Sequence, residues 1–217
     1  MTARLEQIWR YPIKGIGKEA LPLIDLTPGA PLPGDRAWAV LHQGAKDVET
    51  WQPRRNFIVV AYGPRLAQVL AESRTDGRIT LTHPDLDPLT IDPATDSAAL
   101  VAWAKHIWPE THSGPHRLIK APAESMADNG QPQLSILNLA SRRAFSQHAQ
   151  AELEIERFRG NLILDGLAPW EEFDLVGQTI RIGEVTLDVT DRIERCRATE
   201  ANPNTGARDG NTLRVMD

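Results

Sequence analysis

The 217-residue chain contains a single cysteine, Cys196, so no disulfide can form within it. No apolar run approaches the roughly 18–20 residues that a membrane-spanning helix needs. The first residues carry early charges and no long apolar stretch, which argues against a secretory signal. A lone thiol without a disulfide framework is typical of a reducing compartment, and we expect a cytoplasmic protein.

The chain has no excess of basic residues. Lysine and arginine number 24 against 29 aspartates and glutamates, a formal net charge of −5. A general nucleic-acid binder would normally show a basic face, so we expect no nucleic-acid partner. The apolar fraction of 41% is sufficient for a core. The length allows one large domain or two small, closely packed ones.

Hydrophobic periodicity predicts a mainly β fold with a few helices, of the α+β class. One helix is expected over residues 96–108, with Asp96 or Ser97 as N-cap, and another over 138–153. Turn signals at 76–77 and 183–184 predict β-hairpins. Residues 64–73 fit a helix or a strand equally well.

Two motifs resemble a dinucleotide-binding site and a zinc site, but the residues next to each motif argue against that function. Residues 15–20 match the letters of a dinucleotide fingerprint, but Pro22 follows where a helix is required. Lys14 beside this glycine loop remains a candidate for binding an anion. His112 and His116 are separated by Gly-Pro and cannot share a helix face, so they do not predict a zinc site.

Residue chemistry alone does not decide whether Cys196 and the stretch around Arg159 have a structural or a functional role. Free cysteines are usually buried and structural, whereas a thiolate near cations is a nucleophile and a soft-metal ligand. Arg159 and Asn161 would share one face of a strand and could bind a phosphate or a polar heterocycle. In a regular strand Arg195 and Arg197 would point away from Cys196.

Several segments, taken in order, resemble the MOSC family, named after the C-terminal domain of molybdenum cofactor sulfurase. Residues 11–14 and 34–38 resemble its N-terminal barrel domain. The MOSC domain itself is resembled by residues 157–166, 176–177, 181–185, 195–199 and 202–206. The resemblance implies a MOSC-type β-barrel, with an N-terminal β-rich domain over 1–118 and a MOSC domain over 119–217.

The family includes the mitochondrial amidoxime-reducing component and bacterial relatives, which bind molybdenum cofactor and reduce N-hydroxylated compounds. The resemblance therefore implies a molybdenum-dependent reductase of small N-oxygenated substrates. No ferredoxin-like cysteine cluster follows, so electrons are expected from a separate donor protein. Pyridoxal phosphate binding is a further property associated with the family as a whole.

The resemblance also implies roles for eight residues. Cys196 would ligate molybdenum, and Asp128 would be a second catalytic residue beside the cofactor. The other six would bind the cofactor: Lys14 and Arg36 at its phosphate, Arg159 and Asn161 at the pterin, and Asn138 and Ser141 at a polar helix start.

Two other functions stay open: a molybdenum cofactor carrier or sulfur-transfer module, and a non-catalytic barrel with a packed cysteine. The chain departs from the family pattern at Gly15, at Gly160, where a proline is common, and over 49–54. Relatives continue beyond the position of Asp217 with further strands, so we expect either a fragment or a barrel without its closing strands.

Overall fold

A computed structural model describes residues 3–122 and 125–216 of the chain. Three α-helices are found there: α1 (Ser97–Lys105), α2 (Leu139–Ala149) and α3 (Thr212–Met216). None of the helices in these two ranges is long and apolar enough to cross a bilayer. The strands are β1 (Arg4–Arg10), β2 (Ile13–Lys14), β3 (Glu19–Leu21), β4 (Trp38–His42), β5 (Leu70–Ser73), β6 (Ile79–His83), β7 (Leu86–Ile91), β8 (Pro115–Lys120), β9 (Ile136–Asn138), β10 (Leu162–Asp165), β11 (Thr179–Ile182) and β12 (Val185–Asp188).

The strands form four small sheets. One has the order β3-β1-β10-β9, in which β1 and β10 are antiparallel and β10 and β9 are parallel. A second has the order β2-β4-β8, and a third is the meander β5-β6-β7. The hairpin β11-β12 stands alone. The first sheet therefore joins strands from the two ends of the chain.

The largest apolar cluster lies between the meander, the β2-β4-β8 sheet and α1. Ile13, Val40, Leu81 and Leu100 are fully buried in it. Strand β6 contributes because its residues alternate between buried and half-buried positions, as a strand with one face on a core requires. Trp103 of α1 also packs there.

The mainly β, α+β fold class is confirmed, although no sheet in the described chain closes into a barrel. Both predicted helices form but end earlier, at residues 105 and 149. The hairpins at 76–77 and 183–184 are both present. The ambiguous segment 64–73 contains a 3-10 helix followed by strand β5. The domain boundary at 118/119 stays a prediction.

One strand prediction is wrong. Arg159 does not lie in a strand with Asn161 but ends a 3-10 helix, Ile155–Phe158, in the left-handed backbone region at φ 49°. Strand β10 begins only at Leu162. The two side chains therefore do not share a strand face, because the chain turns between them.

Gly160 has a packing role that explains its departure from the family's proline. A Cβ atom built there would lie 2.5 Å from both Cγ and Cδ1 of Leu137, which is buried on the neighbouring strand. This contact is closer than real Cβ atoms tolerate. Leu137 thus occupies the space that a larger residue at position 160 would need.

Gly160→Ala should lower the free energy of unfolding by about 1–3 kcal/mol, the usual cost of overpacking. Gly114→Ala is the matched control, since its nearest contact would be an ordinary 3.7 Å to Gln43, and it should change little. Urea unfolding measures both. Adding Leu137→Ala should give non-additive energies with Gly160→Ala, and strict additivity would contradict the proposed clash.

Candidate functional site

Lys14 is a buried cation at the end of β2. The strand pairs with the centre of the β2-β4-β8 sheet, which places the Lys14 side chain inside the molecule at 4% exposure. Its Nζ donates to the Met126 carbonyl at 2.6 Å and to the carboxylate of Asp128. Burial lowers the pKa of Lys14, and Asp128 opposes that effect. The lysine is thus a charge that depends on its counter-ion.

Asp128 lies between two cations. One carboxylate oxygen accepts from Lys14, and the other lies 3.7 Å from a guanidinium nitrogen of Arg54. Burial alone would raise the pKa of Asp128, but Lys14 and Arg54 outweigh it and bring the pKa below its ordinary value. The preceding residue is held by Trp51, whose Nε1 donates to the Ala127 carbonyl at 2.9 Å.

Arg36 is positioned by a buried carboxylate. Asp35 is 2% exposed, accepts from the Tyr11 backbone N–H at 2.8 Å and pairs with the Arg36 guanidinium. Arg36 itself has φ 51°, and its Nη2 donates to the Arg159 carbonyl at 3.1 Å. A left-handed conformation in a non-glycine residue costs energy and is common at functional sites.

Arg159 stacks on Tyr11. Its guanidinium carbon is 4.2 Å from the ring centroid, and that of Arg36 is 5.1 Å from the same ring. Nη2 of Arg159 is buried and has no hydrogen-bond partner among the residues that the structure describes. Burial lowers the pKa of Arg159 to about 10. A buried donor of this kind is free to donate to a bound acceptor.

Tyr11 is a site residue that sequence reasoning missed. It is fully buried, and its hydroxyl donates to the Gly160 carbonyl at 3.1 Å. The ring thereby supports two guanidinium groups and fixes the turn that presents one of them. Tyr11 stands in the quoted 11–14 motif, but nothing local to that motif indicates that arginines from positions 36 and 159 meet on it.

Asn161 uses most of its hydrogen-bonding capacity within the protein. Its Nδ2 donates to the Trp9 carbonyl at 3.1 Å, and its Oδ1 accepts from the backbone N–H and hydroxyl of Ser135. The residue is 1% exposed. It therefore ties β1 to the start of β9, and its contact with a pterin stays a prediction.

Asn138 and Ser141 form a second polar group with Glu172. Asn138 caps α2 by accepting from the Ala140 N–H, and its Nδ2 donates to Glu172 at 2.8 Å. Ser141 donates to the same carboxylate at 2.6 Å and accepts from the Trp170 N–H at 2.7 Å. These bonds hold the loop after β10 and do not reach Lys14, so their cofactor contact stays a prediction.

Cys196 lies in an extended segment, as the residue before a 3-10 helix, Arg197–Glu200. Its carbonyl accepts from the Thr199 N–H and hydroxyl, which fixes the backbone at the thiol. The half-buried side chain packs against an apolar cluster that includes Met126, whose carbonyl binds Lys14. The thiol and the lysine thus border the same packed unit.

Two arginines interact with Cys196, and only one of them, Arg195, flanks it in the sequence. Arg195 donates to the Phe158 carbonyl, and burial lowers its pKa while Cys196 opposes that effect. Arg208 donates to the Ala61 carbonyl, and the pKa of Arg208 is likewise lowered by burial and opposed by Cys196. Arg197 instead pairs with Glu200 at the surface. Cys196 is not in a strand, so the condition under which Arg195 was expected to point away from it does not apply.

Family models account for nearly the whole chain. The model of the MOSC N-terminal beta barrel domain matches residues 2–116, and the MOSC domain model matches residues 110–216. The chain belongs to the MOSC family. Lys14 and Arg36 lie in the segment matched by the N-terminal barrel model. Arg159 and Cys196 lie in the segment matched by the MOSC domain model. The residues of the candidate site therefore lie in the segments that the two family models match.

Curated relatives match over part of the chain. Molybdenum cofactor sulfurase of Drosophila grimshawi is 33% identical over 108 residues, covering 46% of this chain and 14% of that protein. Molybdenum cofactor sulfurase 2 of Culex quinquefasciatus is 29% identical over 110 residues, covering 46% and 14%. This MOSC chain thus corresponds to a small share of much longer proteins.

Removing the Lys14 charge should raise the pKa of Asp128. The depressed folded-state pKa stabilises the protein above the unfolded-state pKa of about 3.9, and this contribution is lost as pH falls through the folded-state value. Lys14→Met should therefore raise the Asp128 pKa, and the variant should lose less folding stability as pH falls. Carbon-13 NMR titration of the carboxylates measures the pKa.

Lys105→Met, at an exposed position on α1, is the control and should leave the Asp128 pKa where it is. An unchanged Asp128 pKa in Lys14→Met would contradict the assigned ion pair.

Proposed function

We propose that this MOSC chain binds molybdenum cofactor in the cationic site formed by Lys14, Arg36, Arg159 and Cys196. The observation that carries the proposal is the Arg159 guanidinium, whose carbon lies 4.2 Å from the Tyr11 ring centroid. Its buried Nη2 has no hydrogen-bond partner among the residues that the structure describes. A guanidinium held in this way suits a phosphate or a polar heterocycle with in-plane acceptors. A pterin with an anionic phosphate end offers both.

The residues present fit the cofactor in chemistry. Cys196 would supply a soft sulfur ligand to molybdenum, next to the charges of Arg195 and Arg208. Lys14 and Arg36 would hold the phosphate, and Arg159 would donate to the pterin. When bound, the cofactor would supply two-electron chemistry, such as reduction of an N–OH group by two electrons and two protons to N–H and water.

The chain's own residues would bind and orient rather than react. Asp35 fixes Arg36, Tyr11 supports Arg159, and the Thr199 bonds fix the backbone at Cys196. Each contact reduces the motion that a bound cofactor would otherwise have to restrict. The site is therefore organised before binding, which favours tight and single-orientation binding.

We propose reduction of N-oxygenated small molecules, with a separate electron donor, as the activity of the loaded protein. This follows from the family resemblance of the ordered motifs. A second candidate is a carrier or sulfur-transfer module, and the relatives named molybdenum cofactor sulfurase favour it. Both functions use the same binding site, so they differ only in what the loaded protein does.

Cys196→Ala should abolish molybdenum retention. Protein produced in a cofactor-competent host should carry about one molybdenum and one pterin per chain, and the variant close to none, because the only thiolate that the protein could supply to the metal is lost. Metal analysis and pterin fluorescence measure the two. Wild-type protein from such a host that lacks pterin would contradict the proposal.

The same thiol gives a second readout that needs no activity. Because Cys196 is the only cysteine, a maleimide or disulfide reagent labels one position per chain. Loaded protein should resist labelling and cofactor-free protein should react. Equal labelling of the two would show that the cofactor does not use the thiol.

Turnover separates the two candidate functions. Loaded protein with reduced methyl viologen as donor should convert benzamidoxime to benzamidine if the chain is a reductase. A carrier or sulfur-transfer module should show no conversion, and in the sulfur-transfer case a labelled sulfur should be found on Cys196 or on the bound cofactor.

A further inference from the structure

The Asp128 carboxylate lies between Lys14 and Arg54, where a ligand anion could also contact both cations. It accepts from Lys14 Nζ on one oxygen and lies 3.7 Å from Arg54 on the other. A carboxylate and a phosphate present similar oxygens to the same cations. The contact therefore marks where an anionic oxygen binds in this site.

Among the residues with described positions, only Lys14 and Arg54 hold the Asp128 side chain in this position, and an anionic ligand would replace both contacts. It is 59% exposed and makes no other hydrogen bond within the described chain. The backbone on either side is held independently: Trp51 donates to the Ala127 carbonyl, and the Gly130 N–H donates to that carbonyl as well. Rotation of the Asp128 side chain would break none of these bonds.

Arg54 is equally available. Its guanidinium makes no ion pair except the one with Asp128, and no side-chain hydrogen bond, among the described residues, and 43% of its side chain is exposed. It extends from a 3-10 helix, Arg54–Asn56, on the rim of the site. This helix lies at the end of the segment 49–54 that departs from the family pattern.

We propose that Asp128 is a resident counter-ion that the phosphate group of the ligand displaces, and that Arg54 then completes the phosphate clamp with Lys14. This assignment rests on the proposed cofactor site and changes the role of Asp128 within it from a catalytic acid to a competitor. Like charges at this separation repel, so the carboxylate and a phosphate dianion do not share Lys14.

Binding of inorganic phosphate to the cofactor-free full chain tests the proposal at constant ionic strength. Asp128→Asn should bind phosphate about tenfold more tightly than wild type, because no carboxylate competes for Lys14. Arg54→Gln should bind it about fivefold more weakly. Arg55→Gln is the matched control, since Arg55 is exposed on the same helix, and it should match wild type. Calorimetry measures all four.

Displacement has a direct signature in the wild type. Saturating phosphate should shift the carbon-13 carboxylate resonance of Asp128 toward that of a free, exposed aspartate. An unmoved resonance would overturn the displacement even if Asp128→Asn binds more tightly, since simple repulsion would give that result. An Arg54→Gln affinity equal to that of Arg55→Gln would overturn the role of Arg54.

The outcome is separable from that of the cofactor proposal. Phosphate binding is measured without molybdenum, and cofactor retention is measured separately through Cys196. Normal retention with no phosphate competition by Asp128 would overturn only this inference. If Asp128 competes with phosphate but the protein retains no cofactor, the anion clamp would stand and the proposed cofactor site would be overturned.

Discussion

The bond between the buried carboxylate of Asp35 and the backbone N–H of Tyr11 organises the site. Asp35 also pairs with Arg36, so one carboxylate fixes the start of the 11–14 segment and one arginine of the clamp. Tyr11 in turn supports Arg159 on its ring. The position of Lys14, three residues later on β2, depends on the same anchored segment.

Charge balance is the main constraint on this arrangement. Lys14, Arg159 and Arg195 are all cations whose pKa burial lowers, so the protein holds positive charge where water does not solvate it well. Asp35 and Asp128 offset part of that charge. A cluster of this kind gains from an anionic ligand more than an exposed one would, because the interaction is screened less. An acidic chain thus contains a locally basic site.

Binding and chemistry are separate properties of this MOSC chain. The contacts that would hold a cofactor lie within the protein, in segments that the two family models match. Under the proposed function, the choice between reduction and sulfur transfer would depend on the groups that reach the metal and on the electron or sulfur source. The matched relatives are far longer, since the match covers 14% of each.

Elements with local causes could be predicted from the sequence: α2 with its Asn138 cap, the hairpin at 183–184, and Lys14, Arg36 and Cys196 as candidates in family order. Their chemistry depends on residue type and on neighbours a few positions away. Only the tertiary structure decided that Arg159 leaves the strand and stacks on Tyr11, and that Lys14 meets Asp128, 114 positions along the chain. Those contacts arise from strand pairing and burial, which join distant segments that carry no local signal of each other.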